Sequence, residues 1–159
     1  MKVRAIAAVL VAAFLAQSVV LAVDGKKAEY IGGTITALPE KSEGRLDTAN
    51  ETTLTFTPDK NEITPLTISY DQITAIEYGQ KAGRRVAVAL LVSPLALFSK
   101  KRKHFLTLTY NDAAGKEQAA VLELGKDIIR TTLTIVQTRS GKEIEYQDEE
   151  ARKAGRGGN

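Results

Sequence analysis

The only histidine of the chain, His104, closes the run Lys100-Lys101-Arg102-Lys103-His104. Four cations beside an imidazole oppose its protonation, which would keep it neutral and able to take a proton near neutral pH. Catalytic use of such a base needs a nucleophile or an orienting carboxylate at matching spacing, and no paired Ser or Asp motif accompanies it, so His104 is read as a strand-edge residue. Asp148-Glu149-Glu150 offers carboxylates for acid–base work or for calcium, but three adjacent acids in a polar tail read as a solvated charge run. Asp71 and Glu77 are separated by a strand start and lack partners. The chain has no cysteine, which excludes thiol chemistry, disulfides and cysteine metal sites, and no His/Asp/Glu spacing fits a metal centre. Gly32-Gly33 would suit a phosphate loop only if a helix start or a Gly-Lys-Ser/Thr sequence followed, and neither does. Asn50-Glu51-Thr52 matches a glycosylation acceptor that matters only in a eukaryotic secretory pathway. No catalytic residue, metal ligand or cofactor is assigned, and the chain is expected not to be an enzyme.

What remains is surface chemistry. Between Lys81 and His104 the chain reads KAGRRVAVALLVSPLALFSKKRKH, with no Asp or Glu between Tyr78 and Asn111. Lys81, Arg84, Arg85, Lys100, Lys101, Arg102 and Lys103 are the candidate contacts to an anionic surface. Val86, Leu90, Leu91, Leu95, Leu97 and Phe98 are the apolar face between them. As a helix, residues 86–98 would span about 20 Å, short of the ~30 Å of a hydrocarbon core, and Pro94 would interrupt it. The segment therefore does not cross a bilayer as a simple helix. It either packs on the domain's own sheet with solvated basic shoulders, anchors at a membrane interface with cations on anionic headgroups, or docks on a partner or a second copy. Nucleic acid is not an expected partner, since export argues against it and stacking aromatics are few.

Export is read from the first residues. Lys2 and Arg4 precede the apolar run Ala5–Ala16, and Val20-Leu21-Ala22 ends before Asp24-Gly25-Lys26-Lys27, which suits cleavage after Ala22. The competing reading is a retained anchor over residues 5–23, which approaches the roughly 20 residues a span needs; Gln17 and Ser18 weaken it. Residues 1–22 are thus a signal peptide, 23–27 a linker, 28–146 the domain and 147–159 a disordered charged tail. Of 22 Lys and Arg, removal of Lys2 and Arg4 leaves 20 against 19 acids, so the mature chain is near neutral and its basic character is local. The expected location is periplasmic or secreted, with an anionic membrane surface or an envelope protein as partner.

Short strands position these features. Glu29–Thr36 places Ile31 and Ile35 on one face; Arg45–Thr48, Thr53–Thr57 with Leu54 and Phe56, Leu66–Tyr70 and Thr74–Tyr78 follow. Leu106, Leu108 and Tyr110 answer Ala120, Leu122 and Leu124 across the polar loop at Asn111–Lys116, which predicts a hairpin. Ile128, Ile129, Leu133, Ile135 and Val136 lie at helical spacing before Gly141; the β-branched threonines there also permit a strand, but fifteen residues without a turn signal favour a helix over Lys126–Ser140.

Seven strands with an apolar helical insertion between the fifth and sixth, then one amphipathic C-terminal helix, is an element order that resembles the pleckstrin-homology-like superfamily. It also resembles exported bacterial proteins that share Gly32-Gly33 near the start, Lys100–His104 leading into a strand and Gly125-Lys126-Asp127 leading into a helix. The resemblance covers about residues 28–146 and implies a mainly β, partly open barrel capped by its final helix. Relatives of that fold bind phosphoinositides, peptides or partner domains, so the function implied is binding, without a specified ligand.

Overall fold

In the computed structural model, which describes residues 26–80 and 103–156, apolar residues at period two form the inner face of one curled, open sheet. Among the described residues it has eight strands: β1 (Lys26–Gly33), β2 (Ser42–Asp47), β3 (Thr53–Pro58), β4 (Leu66–Ser69), β5 (Ile73–Gly79), β6 (His104–Asn111), β7 (Glu117–Leu124) and β8 (Ile144–Tyr146). Their order across the sheet is β4-β3-β2-β1-β7-β6-β5-β8. Two antiparallel meanders, β1–β4 and β5–β7, are joined where β1 pairs with β7, Tyr30 opposite Leu122. The result is a half-barrel.

Its concave side holds the main core. Leu54, Phe56, Ile68, Tyr78, Leu106, Leu108 and Leu122 are essentially inaccessible, each burial stabilising by about 1.5–3 kcal/mol relative to exposure. Helix α1 (Ile129–Ser140) lays Ile129, Leu133 and Val136 into the same cluster. The helical reading of this threonine-rich stretch is the one realised. Thr134 turns its hydroxyl back to the carbonyl of Arg130 at 3.0 Å. The helix stops where Gly141 takes a left-handed conformation, its N–H bonding the Gln137 carbonyl.

Arg139, in the last turn of α1, clasps the helix to the β2–β3 turn. One guanidinium nitrogen donates to the carbonyls of Thr48 and Asn50 and lies 3.3 Å from the Tyr70 hydroxyl, with the guanidinium over the Tyr70 ring. The Asn50 side chain meanwhile accepts from the N–H groups of Thr52 and Thr53, so the would-be glycosylation triplet builds this turn. Charge-assisted bonds of this kind contribute about 1.5–3 kcal/mol, and a lysine lacks the fork to replace them. We expect Arg139→Ala to lower unfolding free energy by about 2 kcal/mol in urea titration and Arg139→Lys to recover little of it; full recovery by lysine would show that charge alone matters.

The structure differs from the sequence expectation at three places. The strands number eight rather than seven, because Ile144–Tyr146 pairs in parallel with β5, Ile76 opposite Ile144. Lys26 and Lys27, expected in a linker, already pair with Leu46 and Arg45. Residues 147–156, expected to be disordered, instead carry helix α2 (Glu149–Arg156). The acidic run is its start: Asp148 accepts from the Ala151 N–H at 2.7 Å, and Glu149 bridges Arg152 at 2.6 Å, carboxylates placed where a helix N-terminus favours them. α2 buries only Ala151 and Gly155. A Cβ on Gly155 would stand 2.7 Å from the Tyr146 ring and 3.2 Å from Leu133 and Tyr78, so glycine permits the close approach.

Candidate functional site

The sheet positions the basic stretch through the β5–β6 pairing. Tyr78 lies opposite Leu106 and Gly79 opposite Phe105, so the chain leaves the sheet after Gln80 and returns at Lys103 on the same rim. Residues 81–102 lie outside the described residues, and with them Lys81, Arg84, Arg85, Lys100, Lys101, Arg102, Val86, Leu90, Leu91, Leu95, Leu97 and Phe98. Of the candidate surface contacts, Lys103 is described. Its Nζ bridges Glu123 Oε2 at 2.6 Å, with both side chains partly exposed, a pair that contributes at most about 1 kcal/mol.

His104 follows at the head of β6. Burial pushes the Tyr78 phenol up to about 12, so its hydroxyl keeps its proton. That hydroxyl lies 2.5 Å from His104 Nδ1, a hydrogen bond whose direction is set by the imidazole tautomer. Burial first, then the cations Lys126 and Arg130, hold His104 below its usual 6.5, against the opposing pull of Glu123. These groups, with Lys103, Gln80, Asp127 and Ala154, surround a cleft of about 850 Å³ between the rim, the β7–α1 turn and α2. Arg130 is held there by the Ala154 carbonyl at 3.1 Å. Chemically the cleft presents a neutral imidazole and flanking cations, which suits hydrogen bonding and charge attraction. Among the described residues no three His, Asp or Glu side chains gather as a metal site.

A depressed histidine has a consequence for stability. The unfolded chain takes up the imidazole proton before the folded one does, so stability is complete above the unfolded value and falls as pH drops through 6.5 toward the folded value. Glu29, raised chiefly by burial and then by Glu123, acts in the opposite sense at lower pH: its contribution is present in acid and is lost as pH rises from about 4.5. We expect the urea midpoint of the native chain to fall between about pH 7 and 6, and His104→Gln to flatten that fall. Identical slopes in the two proteins would refute a buried, neutral His104.

Sequence reasoning missed the convex side of the sheet. Ile31, Phe105 and Val121 form a second buried cluster separate from the main core, with Ala119 against it. Thr107, opposite Val121, is only 3% exposed. The available signal was adjacent apolar pairs, Phe105-Leu106 and Val121-Leu122, which mark strands covered on both faces. Beside the cluster, Glu43 pairs with Glu29 and Glu29 with Glu123 across three neighbouring strands, and Phe105 pairs with Glu123. Like charges directly opposite on a sheet repel, and here they form an acidic row leading to the rim where the basic stretch departs.

Compared with known protein families and with curated proteins, the chain matches none.

Proposed function

We propose that the chain is a non-enzymatic, exported binding module of pleckstrin-homology-like architecture that associates peripherally with an anionic membrane surface through residues 81–103. The observation that carries this reading is the β5–β6 register, which sets Gln80 and Lys103 on one rim. The basic residues at 81–85 follow Gln80 in the chain and those at 100–102 precede Lys103, so both shoulders, fourteen residues apart in sequence, are tethered to that rim of a domain that is nearly neutral once residues 1–22 are removed. The half-barrel with α1 following its last antiparallel hairpin is compatible with the pleckstrin-homology-like arrangement. Among the described residues no helix is long and apolar enough to cross a membrane, and the association proposed is with the surface.

The test is sedimentation of the mature chain with vesicles of phosphatidylglycerol and phosphatidylcholine against pure phosphatidylcholine. Binding to the anionic vesicles that is released by high salt is the expected result, because exposed charge pairs are screened beyond about 10 Å at 0.1 M salt. Equal pelleting with both vesicles, or insensitivity to salt, would overturn it. A second reading, a soluble periplasmic interaction domain whose apolar segment packs internally, is favoured by the buried cluster of Ile31, Phe105 and Val121.

A further inference from the structure

We infer that the cleft between the rim, the β7–α1 turn and α2 binds a small organic acid, its carboxylate held by Arg130, Lys126 and His104 over a floor of Leu124, Ile129 and Ala154. At about 850 Å³ the cleft lies within the roughly 300–1,000 Å³ of small-molecule sites. Its floor is continuous with the main core, to which Leu124 and Ile129 belong and against which Ala154 packs. Two groups of the wall are fixed before a ligand arrives. Arg130 Nε donates to the Ala154 carbonyl at 3.1 Å, which orients the guanidinium; among the described residues its two terminal nitrogens have no hydrogen-bond partner. Their parallel N–H groups match the two oxygens of one carboxylate. The Tyr78 hydroxyl holds His104 at Nδ1, which leaves Nε2 to hydrogen-bond a ligand.

Charge selects the class of ligand. Lys103 is matched by Glu123, so Lys126 and Arg130 face one remaining carboxylate, Asp127, and a single positive charge is left over. His104 adds none near neutral pH, since burial and the two cations oppose its protonation. A monoanion therefore balances the cleft. A dianion such as a phosphate monoester would leave a negative charge uncompensated beside an apolar floor, which is costly. Among monoanions, the planar fork of Arg130 favours a carboxylate, and the floor favours one carried on an apolar body.

This site goes beyond the membrane reading and needs no lipid for its test. His104 is the only histidine of the chain, so its imidazole C2 proton is a single NMR reporter inside the cleft. The untagged mature chain would be titrated at constant ionic strength with benzoate, with benzamide as its neutral match and with dimethyl phosphate as a tetrahedral monoanion. Benzoate should shift the signal saturably with a dissociation constant on the order of 1 mM, as expected of so small a ligand, and benzamide should not. Bound benzoate should also raise the His104 titration midpoint, because a carboxylate at the ring favours the imidazolium that Lys103, Lys126 and Arg130 oppose. Glu123 and Asp127 are present with or without benzoate, and the Tyr78 hydroxyl can accept from the protonated ring at Nδ1. Arg130→Gln should weaken benzoate about tenfold or more. Because Arg130 also holds the Ala154 carbonyl, Lys126→Gln is the second variant: its exposed side chain can be replaced with the fold intact, and binding should fall about threefold. A shift linear in benzoate, an equal shift with benzamide, or unchanged binding in both variants overturns the site. Tighter binding of dimethyl phosphate overturns the carboxylate and assigns the cleft to a phosphodiester, whereas failure of the vesicle test leaves benzoate binding untouched.

Discussion

Gly33→Val is expected to destabilise the protein by about 3 kcal/mol or more, lowering the thermal midpoint by roughly 10 °C for a domain of this size. A Cβ at Gly33 would lie 2.1 Å from the Ala119 carbonyl oxygen and 2.7 Å from the Tyr30 hydroxyl. Neither neighbour can swing aside: the first is backbone of β7, and Tyr30 is 1% exposed within the core. Relief requires β1 to part from β7, the one seam that joins the two meanders, with loss of ladder bonds and of the Thr34 N–H to Ala119 carbonyl bond at 3.0 Å. The adjacent Gly32→Ala is the control, because its Cβ would meet only the flexible Glu40 side chain at 3.5 Å. That change should stay within about 1 kcal/mol. Similar losses at the two positions in thermal unfolding would mean that the tight β1–β7 approach is not what Gly33 serves.

The glycine pair shows how far the sequence could be taken. Gly in a strand signals a bulge or a close approach, and β1 does shift register between Tyr30 and Gly32. Which of the two glycines faces a backbone oxygen depends on the partner strand, and the partner, β7, lies some ninety residues away. The same division runs through the molecule. Strands with clean alternation, such as Leu54 and Phe56 or Leu106, Leu108 and Tyr110, were legible because period two fixes which side is buried. β8 was not, since three residues carry too little pattern and are held by parallel pairing to β5. α2 was not, because its buried residues are Ala151 and Gly155, small side chains that make no apolar stripe. Its cap at Asp148 was readable but resembled a solvated acidic run. At the candidate site the basic segment was plain from composition, whereas the acidic row of Glu43, Glu29 and Glu123 exists only through register, which no local pattern specifies.

That register also separates Lys103 from the other cations. Replacing Lys100, Lys101 and Arg102 together by Gln removes three charges, each giving about 1 kcal/mol near an anionic surface, so the triple variant should bind phosphatidylglycerol vesicles about 100-fold more weakly. Lys103→Gln together with Glu123→Gln, which removes the ion pair without leaving a bare carboxylate, should change binding by less than about threefold, because Lys103 is engaged by Glu123 at 2.6 Å and gains little by exchanging one anion for another. Composition alone ranks the four residues equally; the ion pair does not. Vesicle titration at low and at high salt distinguishes them, since the contribution of the three should fade with salt while the variant lacking the Lys103–Glu123 pair stays near the native chain throughout. Unchanged binding in the triple variant would remove residues 100–102 from the membrane contact. A loss in the variant lacking both partners as large as in the triple variant would mean that the Lys103–Glu123 pair opens on the surface and that Lys103 reaches the headgroups itself.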